Sequence, residues 1–172
     1  MSDQIPGGER AQFVVFQLDN TEFGVPINQV ARIVRLMEIT RVPRAPAFVE
    51  GVINLQGEIV PVIDLKKRFS QKSEGIHGDD KARILIVELP DESDEWQLVG
   101  LLVDAVTEIR WLPASDVGEM PPMLEGISPA YLAGVGRVGE RLIVILDLDR
   151  VLYTREMGDL SELSRVERSE EA

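Results

Sequence analysis

Residues 45–69 read APAFVEGVINLQGEIVPVIDLKKRF, and the fold is decided in this stretch. Two short apolar runs, 51–55 (GVINL) and 58–64 (EIVPVID), are separated by Gln56-Gly57. Apolar runs of that length around a two-residue turn containing glycine spell a β-hairpin. Asp64 then precedes LKKRF, and a carboxylate there can accept the orphan amide protons of a first helical turn. The segment thus predicts strand, turn, strand and a short helix. The same order returns at an offset of 83 in residues 128–152, SPAYLAGVGRVGERLIVILDLDRVL. Six positions are identical without a gap: Pro46/Pro129, Ala47/Ala130, Gly51/Gly134, Val52/Val135, Asp64/Asp147 and Leu65/Leu148. A second block, GVPINQVARI at 24–33 against GLLVDAVTEI at 100–109, keeps Gly24/Gly100, Val30/Val106 and Ile33/Ile109. Two blocks in one order imply a duplication.

Further strands are expected at 12–18, 22–27, 32–39, 82–89, 96–103, 106–112, 134–138 and 141–147. Asp19-Asn20 and Gly139-Glu140 supply turns between them. The apolar residues are rich in the β-branched type, with 20 Val and 14 Ile beside 18 Leu and 10 Ala. Such side chains lose freedom in helices and pack well on pleated sheets. The fold class read from this is all-β, with two similar five-stranded barrels and a short C-terminal helix. Barrels remove exposed strand edges, which suits so small a β unit. The boundaries expected are about 11–70 for the first barrel, 81–147 for the second and 147–157 for the helix. Together these make one domain over 11–157, with flexible tails at 1–10 and 158–172. Residues 28–31 are expected to form one turn, 70–80 a polar linker, and 113–127 an irregular proline-rich segment.

Composition narrows the function. The 172 residues contain no cysteine and one histidine, His77, in the polar stretch. This excludes a disulfide framework, a thiolate metal site and a cysteine nucleophile. The net charge is −12, from 30 acids and 18 bases, which disfavours nucleic acid as a partner. The beginning, MSDQIPGGERAQ, has neither the charged nor the apolar region of a signal peptide. The longest apolar run, LIVIL at 142–146, is far below the roughly 18 residues that span a bilayer. A soluble cytoplasmic protein is expected. Asp64 and Asp147 occupy equivalent positions of the two repeats, which reads as capping rather than as a paired acid/base site. The acid-rich run at 88–95 (ELPDESDE) reads as a solvated hairpin loop.

The order EFGVPINQVARIV, then PAFVEGVINLQGEIVPVIDL, then GVGRVGERLIVILDLDRVL resembles the CheW-like chemotaxis coupling protein family. The resemblance covers about residues 11–157. It implies SH3-like barrels, no catalysis, no cofactor and no metal. It also implies two partners: the regulatory domain of a CheA-type histidine kinase and the cytoplasmic tip of a methyl-accepting chemoreceptor. Neither nucleic acid nor direct membrane insertion is implied, and the protein would be recruited to receptor arrays at the inner membrane. The implied receptor-binding positions are Val30, Arg32, Ile33, Gln56 and Gly57, and the kinase-binding positions Ile39, Val42 and Met123. Two residues depart from the family, which usually has Arg at Gln56 and commonly Glu at Arg32. The alternative reading that these departures raise is a divergent CheW-like scaffold of a non-flagellar chemosensory system, pilus-based or other, with altered receptor choice.

Overall fold

A computed structural model describes residues 10–69, 80–91, 93–119 and 129–152. The first half contains β1 (Arg10–Leu18), β2 (Thr21–Pro26), β3 (Val30–Arg35), β4 (Val49–Leu55), β5 (Glu58–Asp64) and helix α1 (Leu65–Arg68). The second contains β6 (Arg83–Pro90), β7 (Trp96–Val103), β8 (Ala105–Pro113), β9 (Val117–Gly118), β10 (Leu132–Val138), β11 (Arg141–Leu146) and helix α2 (Leu148–Leu152). The expected turn at 28–31 is a 3-10 turn over Ile27–Gln29. All three two-residue turns form: Leu18 pairs Thr21, Leu55 pairs Glu58 and Val138 pairs Arg141. Gln56 and Gly57 both have positive φ, 53° and 89°, as a primed hairpin turn requires.

The strands form two sheets, ordered β8-β1-β2-β11-β10-β9 and β3-β6-β7-β5-β4. Here the expectation needs correction. Contiguous barrels over 11–70 and 81–147 are not what the pairing builds. The β1–β2 hairpin sits between β8 and β11, and β6–β7 sits between β3 and β5. Each half therefore lends its first hairpin to the other half's sheet. Matching β1–β2 to β6–β7, β3 to β8 and β4–β5 to β10–β11 turns one sheet order into the other. The registers agree too: Val62 pairs Gly100 and its counterpart Ile145 pairs Gly24, both in parallel. Even the irregularities repeat, at Val49/Gly51 and Leu132/Gly134, and at Val30/Arg32 against the step from Val106 to Glu108 opposite Phe16 and Val15. We call the six-stranded sheet barrel A and the five-stranded one barrel B.

Each barrel is closed by the strand at its edge running on to the opposite edge. In barrel B the strand expected over 32–39 stops at Arg35. The chain then crosses to Thr40, which exchanges two 2.8 Å backbone hydrogen bonds with Val52 of β4. In barrel A, β8 continues through a 3-10 turn (Ala114–Asp116) into β9, which pairs β10. Residues 113–119 are thus ordered structure inside the segment expected to be irregular. The two residues of β9 are too few to show a period in the sequence. The crossing explains one repeated glycine. A Cβ on Gly51 would lie 2.1 Å from the Thr40 carbonyl oxygen, and one on Gly134 2.7 Å from that of Gly118. Gly51 also has φ +149°, a conformation side chains rarely adopt.

Three apolar layers result. Phe13, Val15, Leu112, Ile143 and Ile145 fill barrel A, and Ile53, Val60, Val62, Ile84 and Ile86 fill barrel B. Between the barrels lies a larger core with Val14, Phe16, Leu18, Phe23, Ile63, Leu85, Val87, Leu101 and Val144. The central strands are buried on both faces, so they read as nearly continuous apolar runs rather than as alternation. Phe16, Phe23, Phe69 and Tyr131 stack in series with centroids 5.7–5.9 Å apart. Asp64 caps α1 through its Oδ1, which accepts from the Lys66 and Lys67 amides. Asp147 Oδ1 accepts from the Arg150 amide at 3.3 Å. The helix expected over 147–157 is described as far as Leu152. The linker around His77 and both expected tails lie outside the described residues, apart from Arg10 at the start of β1 and Asp80 at the end of the linker.

Candidate functional site: the face between the barrels and its margins

Three of the expected partner-contacting residues, Val30, Arg32 and Ile33, fall together on β3 of barrel B. Val30 opens β3 directly after the 3-10 turn and packs, half-buried, against the inter-barrel core. The bulge at Ala31 shifts the phase of the strand, so that Val34 packs into barrel B and Ile33 pairs Leu85. Leu85 belongs to the inter-barrel core, so Ile33 lies on the face towards barrel A, at its exposed margin (39% exposed). Arg32 is exposed. Sequence reasoning left out the counterpart on barrel A: Ile109 pairs Val14 of the same core and is 52% exposed. The repeat carried that signal, because Ile33 and Ile109 are an identical pair. Val106, the counterpart of Val30, also packs on this core. Trp111, two residues on from Ile109 along β8, is 47% exposed and carries the Arg10 guanidinium 4.8 Å over its ring.

Gln56 and Gly57 are elsewhere, at the tip of the β4–β5 hairpin, where the Gly57 amide donates to Asn54 Oδ1 at 2.8 Å. The cross-sheet row through Arg32 runs Ile86, Gly100, Val62 and Gly51. Gln56 lies five residues beyond Gly51, roughly 16 Å along the strand at 3.3 Å per residue. No hydrogen bond or ion pair joins Gln56 to Arg32 among the described residues, so the two departures from the family stand as separate changes.

Ile39 is half-buried against the core of barrel B, and its Cγ2 lies 2.9 Å from where a Gly51 Cβ would be. It serves barrel closure. Val42 is half-buried in an open hollow of about 210 Å³ lined also by Arg41, Ala45, Pro46, Ala47, Val49, Glu50 and Lys67. Lys67 is engaged there by Glu50 at 2.6 Å. Met123 lies outside the described residues.

The charges around the face are arranged differently on the two barrels. Glu108, the counterpart of Arg32, accepts from Arg141 at 2.6 Å and from Arg110 at 2.9 Å, while Arg141 also binds Glu22. The hydrogen bond from Arg141, against some desolvation, holds the Glu108 carboxyl below its usual pKa. Between the barrels, Lys66 Nζ binds Asp104 at 2.9 Å and Asp19 at 3.1 Å. Burial opposes the charge on Lys66, but hydrogen bonding and attraction from Asp104 and Asp19 outweigh it, so its pKa is raised. Arg68 lies where the repeats meet. Its guanidinium is 4.9 Å from the Phe48 ring and 5.0 Å from that of its counterpart Tyr131, and Nε donates to the carbonyl of Val151, its own counterpart. Among the described residues no group of three or more His, Cys, Asp or Glu could hold a metal ion, and no helix is long and apolar enough to cross a membrane.

A pair of SH3-like barrels sharing one core, with apolar side chains left exposed at the margin of their common face, defines a scaffold class of protein. Residues 12–156 match the CheW-like domain, and the chain belongs to the CheW-like family of chemotaxis scaffold proteins. It is 30% identical over 154 residues to the chemotaxis protein CheW of Klebsiella aerogenes, covering 90% of this chain and 89% of that one. Protein FrzA of Myxococcus xanthus is 30% identical over 83% of this chain and 86% of its own length. The crystal structure of the scaffolding protein TtCheW from Thermoanaerobacter tengcongensis superposes with a TM-score of 0.74 at 33% identity, covering 91% and 95% of the two chains.

Proposed function

We propose that this chain is a non-enzymatic adaptor that couples chemoreceptor signalling tips to a CheA-type histidine kinase in a bacterial chemosensory array. The observation that carries the reading is family membership along nearly the whole chain, over residues 12–156. The proposed receptor surface has two parts: the margin of the inter-barrel face at Val30 and Ile33 with Arg32 beside them on β3, and the separate tip of the β4–β5 hairpin at Gln56 and Gly57. The proposed kinase contacts are Ile39, Val42 and Met123. The protein acts in the cytoplasm and is recruited to receptor arrays at the inner membrane.

A second reading places it in a non-flagellar chemosensory system with altered receptor choice. The likeness to FrzA, as high in identity as that to the Klebsiella CheW, supports it, as does Arg32 where the family commonly has an acid. The test is binding of the full chain to a receptor signalling tip and to the kinase regulatory domain, each in purified form. Both are expected to bind. Removing an interface anchor commonly costs about 2 kcal/mol or more, roughly 30-fold in affinity. Ile33→Glu should therefore weaken the receptor tip and Met123→Ser the kinase domain, each with an unchanged melting temperature. Absence of binding to both partners overturns the reading. Receptor tips from flagellar and non-flagellar systems, compared side by side, separate its two forms.

A further inference from the structure

The two closing segments perform one structural task with opposite charge. Residues 32–44 cross barrel B and carry Arg32, Arg35, Arg41 and Arg44 against the single acid Glu38, net +3. Residues 105–119 cross barrel A and carry Glu108, Asp116 and Glu119 against Arg110, net −2. Both segments reach the far edge and pair there, through Thr40 and through β9. Closure therefore makes no demand for arginines. All four are exposed, and among the described residues none has a carboxylate partner, whereas Glu108 at the position matching Arg32 has two guanidinium partners. Interleaved with the arginines are Ile33 and Met37, each 39% exposed, and the half-buried Val42.

Unpaired cations spaced between exposed apolar side chains form a recognition surface, since charge complementarity chooses partners and apolar anchors hold them. The remainder of the chain has net charge −15. That field repels an extended polyanion such as nucleic acid or an anionic bilayer, but a short segment touching only this strip escapes most of it, because screening acts within about 10 Å. From this charge pattern we infer that residues 32–44 dock an acidic polypeptide segment bearing apolar side chains.

The test is fluorescence anisotropy of the full chain with two labelled peptides of about 20 residues, one of leucine and glutamate, the other with lysine for every glutamate. A protein of net −12 would prefer the lysine peptide by its overall field, so the sign of the preference decides. The glutamate peptide should bind at least about tenfold tighter in about 0.05 M salt, and the margin should shrink in about 0.5 M. Reversing Arg32, Arg35, Arg41 and Arg44 together to Glu should invert the preference, while Arg137→Glu on exposed β10 leaves it in place. Should the fourfold variant not fold, single Arg→Gln variants are each expected to weaken the glutamate peptide about two- to fivefold. Tighter binding of the lysine peptide, or a preference unaffected by these substitutions, overturns the inference. So does displacement of the glutamate peptide by phosphatidylserine vesicles or a DNA oligonucleotide, which would make the strip a polyanion surface. The strip includes Arg32, Ile33, Ile39 and Val42 of the proposed receptor and kinase contacts, so the inference rests on the adaptor reading. Because the assay uses neither receptor nor kinase, loss of the peptide preference with both partners still binding overturns the inference alone.

Discussion

Barrels A and B share strand order, parallel register, bulge positions and the glycine under the closing strand, yet their closing segments differ in charge by five units over similar lengths. What is common to both barrels is what closure and the shared core require. What differs is free of the fold, and it concentrates on β3, β8 and the segments that follow them. In barrel A, Arg141, Glu22, Glu108 and Arg110 satisfy one another, while Asp116 and Glu119 have no ion pair among the described residues. In barrel B the corresponding strand presents its charge outward. Barrel A keeps part of its rim charge within itself, and barrel B leaves its arginines for the docking inferred above.

The comparison is most easily broken at the repeated glycine. Gly51→Ala faces both a positive φ and a backbone oxygen at 2.1 Å, so it should cost about 3 kcal/mol or more. Gly134→Ala meets an oxygen at 2.7 Å without the positive φ and should cost about half as much. Urea denaturation of the two variants measures this, and equal costs would show that the closures are not strained differently. Next comes Arg68, whose counterpart is the apolar Val151. Arg68→Ala removes a buried, stacked and hydrogen-bonded cation and should cost roughly 3 kcal/mol, whereas Arg68→Met, which refills the space between Phe48 and Tyr131, should recover about half. A methionine variant as unstable as the alanine one would place the stabilisation in the charge alone.

Smaller effects sharpen the contrast between the rims. Glu108 has a pKa below its unfolded value, so its contribution is present above the ordinary carboxylate range and is lost as pH falls through the depressed value. Glu108→Gln should therefore cost under about 1 kcal/mol at neutral pH and nothing in acid, while Arg32→Gln changes stability at neither pH. A cost for Arg32→Gln equal to that of Glu108→Gln would remove the difference between the barrels. The smallest effect is expected at Asp149, in the first turn of α2, where burial and then repulsion by Asp147 raise the carboxyl pKa. A raised acid destabilises once ionised, so stability falls as pH rises through that range. Asp149→Asn should gain a few tenths of a kcal/mol near pH 7 and nothing below the unfolded pKa of about 4. Melting temperatures across pH measure both effects.

Much of the molecule was legible residue by residue. Turns at Asp19-Asn20, Gln56-Gly57 and Gly139-Glu140 depend on neighbouring backbone geometry, and the Asp64 and Asp147 caps on amides two or three residues away. Ile33 and Ile109 were visible as a matched pair. Their common location at the margin of one face was not, because it depends on which strands pair with β3 and β8. Likewise Arg32 stands out in the sequence, but its lack of a partner can be judged only beside Glu108, whose partner Arg141 is 33 residues away.

Local sequence determined most of the strands, the turns, the caps and the duplication itself, but neither β9 nor the end of β3 at Arg35. The tertiary structure alone decided that the two halves exchange their first hairpins. The reason follows from the duplication: β1–β2 and β6–β7 present nearly equivalent apolar faces and registers, so either hairpin could fit beside β5 or β11. A choice between equivalent partners is made by the connections. β2 passes through three residues into β3, and β7 through Asp104 into β8, each handing the chain to the neighbouring barrel and leaving both hairpins sharing the core between them.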